Sequence, residues 1–285
     1  MGNTLQKQLP APRIMTFVVA TFYHFFDFPE FTESKQPLTK ELTRLGIKGS
    51  LLIAAEGING TLAGTREAID EFLTHLETHI VGSKIEHKES LCDRQPFGRA
   101  KVRLKKETIS LGEPAFPAHA TGTHVAPEDW NQLIADPDTI VLDTRNSYEV
   151  HLGTFERAVD PGIRNFKQLP EFVRKTLKDA KHKKIATFCT GGIRCEKFAA
   201  WMIGEGFENV YQLKGGILKY LENVPESESR WQGECYVFDD RVAVGHGLKP
   251  SETASQCPGC GHALTPQDRE HPHYHKDSSC PYCPR

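Results

Sequence analysis

Ile185-Ala-Thr-Phe-Cys189-Thr-Gly-Gly-Ile-Arg194-Cys-Glu-Lys197 is the stretch that decides how this chain is read. Residues 184–188 form a short buried strand that runs straight into Cys189. Phe198, Trp201 and Met202 then recur at helical spacing, so a helix follows at once. A strand, a tight loop and a helix put Cys189 at the carboxyl edge of a sheet, where crevices form in open α/β folds. Gly191 and Gly192 let the backbone curl its N–H groups inward as an anion nest. The helix brings its positive end to the same point, and Arg194 adds a permanent charge. Together these lower a thiol from about 8.5 toward neutrality. Cys189 is therefore the candidate nucleophile, in an active-site loop of Thr190, Gly191, Gly192, Ile193 and Arg194. The competing reading is a buried cysteine in an ordinary Gly-rich turn. Four residues separate Cys189 from Arg194. Cysteine phosphatases use one more, a wider cradle for a tetrahedral phosphate, so the tighter ring suits a thiolate or a persulfide sulfur.

Working outward, residues 123–221 read as one α/β domain. Pro127 opens a helix carrying Trp130, Leu133 and Ile134. Residues 139–142 are a short buried strand ending at Asp143, and residues 210–213 another, closed by Gly215-Gly216. Strands alternating with helices predict a parallel sheet covered on both faces. Asp143 and Arg145, at the end of their strand, are either supporting active-site residues or a structural ion pair beneath the loop. Cys195 either acts as a resolving thiol or simply packs.

Residues 14–112 read as a small α+β domain, joined to the first by a Pro- and Gly-bearing linker at 114–123. A strand over 14–26, a helix from Pro37 to Leu45 stopped by Gly46, and strands over 47–55 and 60–63 come first. A turn at Glu56-Gly57-Ile58-Asn59 joins the last two. Thr65 caps a second helix bearing Ile69, Phe72, Leu73, Leu76 and Ile80. Val102, Leu104, Ile109 and Leu111 supply a closing strand. Strand, helix, strand, strand, helix, strand is the ferredoxin-like (acylphosphatase-like) pattern. Lys101, Arg103 and Lys105 would share one strand face, as a solvated edge or as a surface for RNA phosphates. Asn59 and Thr61 serve hairpin geometry or touch substrate.

Residues 222–285 read as a linker and a Cys/His-rich tail. Cys257-Pro-Gly-Cys260 and Cys280-Pro-Tyr-Cys283 are separated by nineteen residues, the spacing of a four-cysteine zinc ribbon. His262, His271, His273 and His275 compete as ligands, and a metal-free tail is the alternative to a structural zinc.

Bulk composition narrows the class. Hydrophobic residues at 38% and charged residues at 25% are globular proportions, and the formal net charge of −2 neither requires nor forbids a polyanionic partner. Charge is nonetheless uneven: residues 84–106 carry eight basic and three acidic side chains, and residues 164–184 eight and two. No apolar run approaches the roughly 20 residues of a membrane span. The first dozen residues lack a signal-peptide layout and read as a loose tail, so the expected compartment is the cytoplasm. Paired cysteines near one end argue for metal or redox chemistry and not a secreted disulfide framework. No dinucleotide-binding glycine fingerprint or other organic-cofactor motif is present, and oligomeric state leaves no signal.

Leu142-Asp-Thr-Arg-Asn-Ser-Tyr-Glu-Val-His-Leu-Gly153 together with Cys189-Thr-Gly-Gly-Ile-Arg194 resembles a rhodanese domain. The longer string ending Cys195-Glu-Lys197, with Glu56-Gly-Ile-Asn-Gly-Thr61 and Tyr236-Val-Phe-Asp-Asp240, resembles the bacterial rhodanese-domain tRNA uridine hydroxylases (TrhO). The resemblance covers roughly residues 14–244 and implies oxygen-dependent conversion of the wobble uridine of tRNA to 5-hydroxyuridine. Molecular oxygen would be co-substrate and tRNA the partner. The loop cysteine, here Cys189, would work through a persulfide. The alternative activity is a general sulfurtransferase moving sulfane sulfur from a donor such as thiosulfate to a thiol.

Overall fold

A computed structural model describes residues 16–239 and 241–283. Ile14 of the expected first strand, the expected N-terminal tail and Asp240 of the Tyr236 motif lie outside the described residues. The chain divides into two compact units, one ending at Thr108 and the other starting at Ile109.

In the first unit, β1 (Phe17–Phe25) buries Val18, Ala20 and Phe22 on alternate positions, as a half-buried strand must. It is followed by α1 (Phe31–Arg44), β2 (Lys48–Ala54), β3 (Gly57–Gly64), α2 (Arg66–Leu76), β4 (His87–Cys92) and β5 (Ala100–Leu104). The sheet order is β4-β1-β3-β2-β5, antiparallel except for the β2–β5 pair. Leu38, Leu42, Ile69, Phe72 and Leu76 of the two helices join one core with the sheet. The ferredoxin-like arrangement expected from the sequence is present, with three local corrections.

First, α1 does not start at Pro37 but six residues earlier. Pro37 is exposed within the helix, and the Glu33 carbonyl that loses its intrahelical donor belongs to an exposed residue, so the proline is tolerated there. Gly46 does stop the helix: it takes a left-handed conformation, and the Ile47 N–H closes back on the Leu42 carbonyl. Second, the β2–β3 turn is tighter than expected. Gly57, Ile58 and Asn59 are already paired strand, leaving Ala55-Glu56 as the turn. Third, the strand that closes the ferredoxin-like pattern is β4, whose side chains are mostly exposed and polar and so carry no hydrophobic alternation. The segment around Val102 and Leu104 is an additional edge strand, parallel to β2. Ile109 and Leu111 pack in the second unit instead.

The second unit is a four-stranded parallel sheet in the order β6-β10-β9-β7. Its elements are β6 (Thr123–Val125), α3 (Pro127–Ala135), β7 (Thr139–Asp143), α4 (Ser147–Val150), β8 (Gly153–Phe155), α5 (Leu169–Thr176), β9 (Lys184–Phe188), α6 (Ile193–Gly204), β10 (Asn209–Leu213) and α7 (Gly216–Asn223). One face packs Leu142, Ile185 and Val210 against Leu169, Phe198 and Met202. The other packs Val141, Phe188 and Leu213 against Trp130, Ile217 and Tyr220. Helices thus cover both faces, which explains why the central strands are buried and mostly apolar.

Beyond α7 the chain remains part of this unit. β11 (Trp231–Gly233) pairs with β8, and β12 (Cys235–Tyr236) pairs with β13 (Ala243–Val244). Trp231, Cys235 and Val244 enter the second core cluster, so part of the stretch read as linker is core. β14 (Ser255–Gln256), β15 (Ala263–Leu264) and α8 (Pro266–Glu270) follow. Among the described residues, no helix is long and apolar enough to cross a membrane.

Candidate active site

β9 delivers Cys189 to the carboxyl edge of the sheet, and α6 begins at Ile193. Between them the chain turns through Gly192 at φ 103°, a conformation that L side chains rarely adopt. This turn swings the Gly192 N–H to 3.1 Å from the Cys189 sulfur. A side chain at Gly191 would meet nothing within 4 Å, which marks the open side of the loop. The loop is fixed from behind by the start of α7, at Gly215-Gly216. Ile217 and Leu218 donate their N–H groups to the Cys189 and Thr190 carbonyls at 2.9 and 3.1 Å. That approach needs Gly216: at φ +68° a Cβ there would stand 2.5 Å from the Cys189 carbonyl oxygen.

Cys189 is 1% exposed. Burial alone pushes its thiol up. The hydrogen bond from the Cys195 thiol, the Arg194 charge and the backbone N–H groups of Cys195 and Gly192 overcome that and bring it down to about 5. The sulfur is therefore held as a thiolate at neutral pH.

Arg194 reaches this site by a route that sequence reasoning missed. Its guanidinium is buried and bound at both ends by the Glu149 carboxylate, with two contacts of 2.6 Å. The pair is closed further by Thr190, whose hydroxyl lies 3.4 Å from both Glu149 and Arg194. Burial works against charge on either partner. The attraction of Arg194 nevertheless holds the Glu149 carboxyl below the usual range, and that of Glu149 holds Arg194 charged. Arg194 is thus a neutralised cation and not an open anion receptor. A phosphate would have to displace a buried carboxylate, a second reason the loop does not suit phosphoryl groups.

Asp143 and Arg145 form a fully buried ion pair, with Arg145 Nε and Nη2 at 2.9 and 2.6 Å from the carboxylate. The same guanidinium donates to the Glu149 and Gly153 carbonyls and lies over the Trp231 ring at 5.2 Å. The pair ties α4, β8 and β11 together. Its hydrogen bonds run to this frame. Elsewhere in the motif, Lys197 is buried and donates to the Ile109 carbonyl at 3.0 Å, while Glu196 meets His124 at 2.9 Å.

In the first unit, Lys101 and Arg103 lie on the face of β5 opposite Val102, with Lys105 just past its end. Arg103 and Lys105 are exposed and Lys101 is half-buried. Asn59 donates to the Thr108 carbonyl at 3.2 Å, while Glu56 accepts from the Thr108 N–H and hydroxyl at 2.7 and 2.8 Å. Thr61 faces Thr21 across the sheet, their hydroxyls 3.4 Å apart. The Glu56-to-Thr61 motif thus braces the end of its own unit.

Near the C-terminus, the sulfurs of Cys257, Cys260, Cys280 and Cys283 all lie within 4.8 Å of one another. Cys257 and Cys283 are 3.7 Å apart, and Cys260 and Cys280 3.6 Å. A tetrahedral zinc with bonds of about 2.3 Å spaces its sulfurs at about 3.8 Å, so the donor set fits the ion. His262 is not among these ligands; it stacks on Tyr282 with ring centroids 4.0 Å apart. The Cys-rich segment rests on α4 through Asp268, which meets His151 and receives the Tyr282 hydroxyl, both at 2.7 Å.

Residues 17–108 match the family described as UPF0176 acylphosphatase like domain, and residues 126–223 match the Rhodanese-like domain. Among solved structures, the chain is similar to the rhodanese-like domain of an Anabaena sp protein at 18% identity, covering 39% of this chain and 78% of that one with a TM-score of 0.33. A rhodanese-related protein from Thermoplasma volcanium is 22% identical over 36% of this chain and 93% of that one, TM-score 0.29. An acylphosphatase from Coxiella burnetii is 10% identical over 33% of this chain and its own full length, TM-score 0.26. The chain carries a UPF0176 acylphosphatase-like domain followed by a rhodanese-like domain with an enzyme-type cysteine loop, which is the architecture of the UPF0176 family.

Proposed function

We propose that this protein is a tRNA uridine hydroxylase: it converts the wobble uridine to 5-hydroxyuridine with molecular oxygen, in the cytoplasm, using Cys189 as catalytic residue. The observation that carries the reading is the buried Cys189 sulfur facing the Gly192 N–H at 3.1 Å, in a rhodanese-like loop that follows a UPF0176 acylphosphatase-like domain. The thiolate attacks a sulfane donor such as thiosulfate. The donor's S–S bond breaks, sulfite leaves with the electron pair, and a persulfide forms on Cys189. Insertion of one oxygen atom from dioxygen at uracil C5 consumes two electrons and two protons and yields water. A persulfide can serve that reaction as the reductant, its outer sulfur rising to the sulfenic level as it gives up the two electrons. Where it instead adds to the ring as the nucleophile that activates it, two external thiols supply the electrons and leave as a disulfide. Lys101, Arg103 and Lys105 offer a cationic strand edge for tRNA phosphates. The four C-terminal cysteines hold a structural zinc that completes their fold and takes no part in the reaction.

The test is reconstitution. Purified protein, a sulfane donor and unmodified tRNA are incubated in air and under argon, and the nucleosides are analysed by mass spectrometry. One added oxygen on the wobble uridine, in air only, is the expected result. The rhodanese-like match favours a second reading, general sulfur transfer to small thiols. Rapid turnover of thiosulfate with a free thiol, and unchanged tRNA in air, would select it.

A further inference from the structure

The five-stranded sheet of the first unit packs both of its helices on one face. The pairing register fixes what stands on the other, because directly paired residues share a face. Thr21 pairs with both Lys88 and Thr61, Thr61 with Ser50, and Ser50 with Lys101. One row of side chains thus crosses the open face from edge to edge, three hydroxyls between two lysines. Thr21 is exposed and the other four are half-buried. Tyr23 and Phe25 follow on the same face at alternate positions of β1, their ring centroids 5.9 Å apart. The only carboxylate in the five strands is Glu89. It pairs with Ala20 on the helix side, where Arg66 of α2 holds it at 2.9 and 2.5 Å. A face with cations at both edges and no acid among its paired residues is complementary to a polyanion. Its rings and hydroxyls narrow the class. Unpaired RNA is recognised by bases stacked on aromatic side chains and by polar contacts to the ribose 2′-OH. A duplex keeps its bases stacked on one another and has none to offer a ring. At one corner of the face, Ser50 and Lys101 line an open hollow of about 400 Å³ with Phe97 and Arg99 of the loop before β5. That volume is in the range of small-molecule clefts, and the hollow surrounds its occupant with a ring, a hydroxyl and two cations.

We propose that the open sheet face of the first unit is a platform for single-stranded RNA, with one base stacked on Tyr23 and one nucleotide seated in the hollow beside Phe97, Arg99 and Lys101. The source of that RNA rests on the reading of tRNA as substrate: the platform holds the unpaired anticodon loop. The cations of β5 are then one border of a surface that selects loop over stem, and the hydroxyl row of Thr21, Thr61 and Ser50 lies under the ribose-phosphate chain as it crosses the sheet.

The experiment reads binding and not turnover. Full-length protein carrying Cys189→Ser is titrated into a fluorescent anticodon stem–loop RNA, and into the same RNA with its loop closed by a complementary strand. The open loop should bind about tenfold tighter or more, the gain of stacking one base on a ring. Equal affinity for the two forms overturns the proposal. Tyr23→Ala and Phe97→Ala should each weaken binding of the open loop by about tenfold, while Tyr23→Phe, which keeps the ring, binds like the parent. Parent affinity in both Ala variants overturns it. Should either fail to fold, the parent is photocrosslinked to RNA carrying thiouridine in the loop. Adducts on peptides containing Tyr23 or Phe97 sustain the platform, and adducts confined to the second unit overturn it. Two other occupants are outcomes of the same series. Polyglutamate that displaces the RNA as well as unlabelled stem–loop does would show a face selecting charge alone. A dimer in sedimentation that Tyr23→Ala dissolves would show a second copy covering the face. Either result overturns the proposal. Failure of the hydroxylase reading is seen separately. Loop-selective binding by a protein whose wild type leaves tRNA unhydroxylated would keep the platform and reject the hydroxylase. Hydroxylation undiminished by Tyr23→Ala and Phe97→Ala would reject the platform alone.

Discussion

At the scale of single residues, Cys189 couples chemistry to stability. Its thiol titrates near the ordinary value of about 8.5 in the unfolded chain and at about 5 in the fold. Between these values the unfolded state binds the extra proton, so stability must rise with pH. The contribution is complete above the unfolded value and is lost as pH falls through the folded one. Urea unfolding at several pH values between 5 and 9 should therefore show wild type gaining on Cys189→Ser as pH increases. Parallel curves would mean that the thiolate is not stabilised by the fold. Cys189, Gly192 and Arg194 could be found in the sequence because each residue type is chemically conspicuous at its position. Glu149 could not. In Ser147-Tyr-Glu-Val150 it looks like any acid in a short helix, and only the approach of α4 to the loop shows that it is the buried partner of Arg194. Its place within the string quoted for the rhodanese resemblance was the only available signal.

Among secondary-structure elements, those with a strong period or a sharp punctuation mark were legible. β9, whose bounds match the expected 184–188, is uniformly buried after its first residue, and α2 has Thr65 as its cap. β4 was missed because an exposed, polar strand has no period to read, and its pairing with β1 comes from tertiary contact. α1 was shortened because a proline more often opens a helix than interrupts one. Two predictions belong here. Gly216→Ala forces a Cβ against the Cys189 carbonyl at positive φ, so it should cost more than about 1 kcal/mol in denaturant unfolding. It should also slow alkylation of Cys189 by displacing α7 from the loop; an unchanged protein would show that the backing contact is dispensable. Along β5, reversing the charges of Lys101 and Arg103 to Glu should weaken tRNA binding and lower the salt slope by roughly one to two. Alkylation of Cys189 should be unaffected. Wild-type affinity across a salt series would move the search for RNA contacts to the basic stretch between residues 164 and 184.

For the whole molecule, the sequence conveyed both the ferredoxin-like sheet and the rhodanese-like sheet, since each has its own order of strands and helices. The stretch after α7 was less legible. Its strands are two or three residues long, too short for any pattern, and Trp231 and Cys235 join the core only through pairing with β8 and the packing around it. The four cysteines were legible because their spacing is itself a chemical constraint. Elemental analysis of purified protein should give about one zinc per chain. A chelator should lower the melting temperature, because the knuckles hold Tyr282 against Asp268 and against His151 at the end of α4. Metal-free protein with four reactive thiols and an unchanged melting point would contradict this. Modification of tRNA by the Cys189 thiolate is tested most directly by nucleoside analysis in cells. Cells lacking this protein are supplied with wild type or with Cys189→Ser, which keeps the side chain's size but cannot hold a sulfane sulfur, and their tRNA nucleosides are compared by mass spectrometry. Wild type should restore 5-hydroxyuridine at the wobble position, and the Ser variant, folded and equally abundant, should restore none. Equal restoration by both would contradict it.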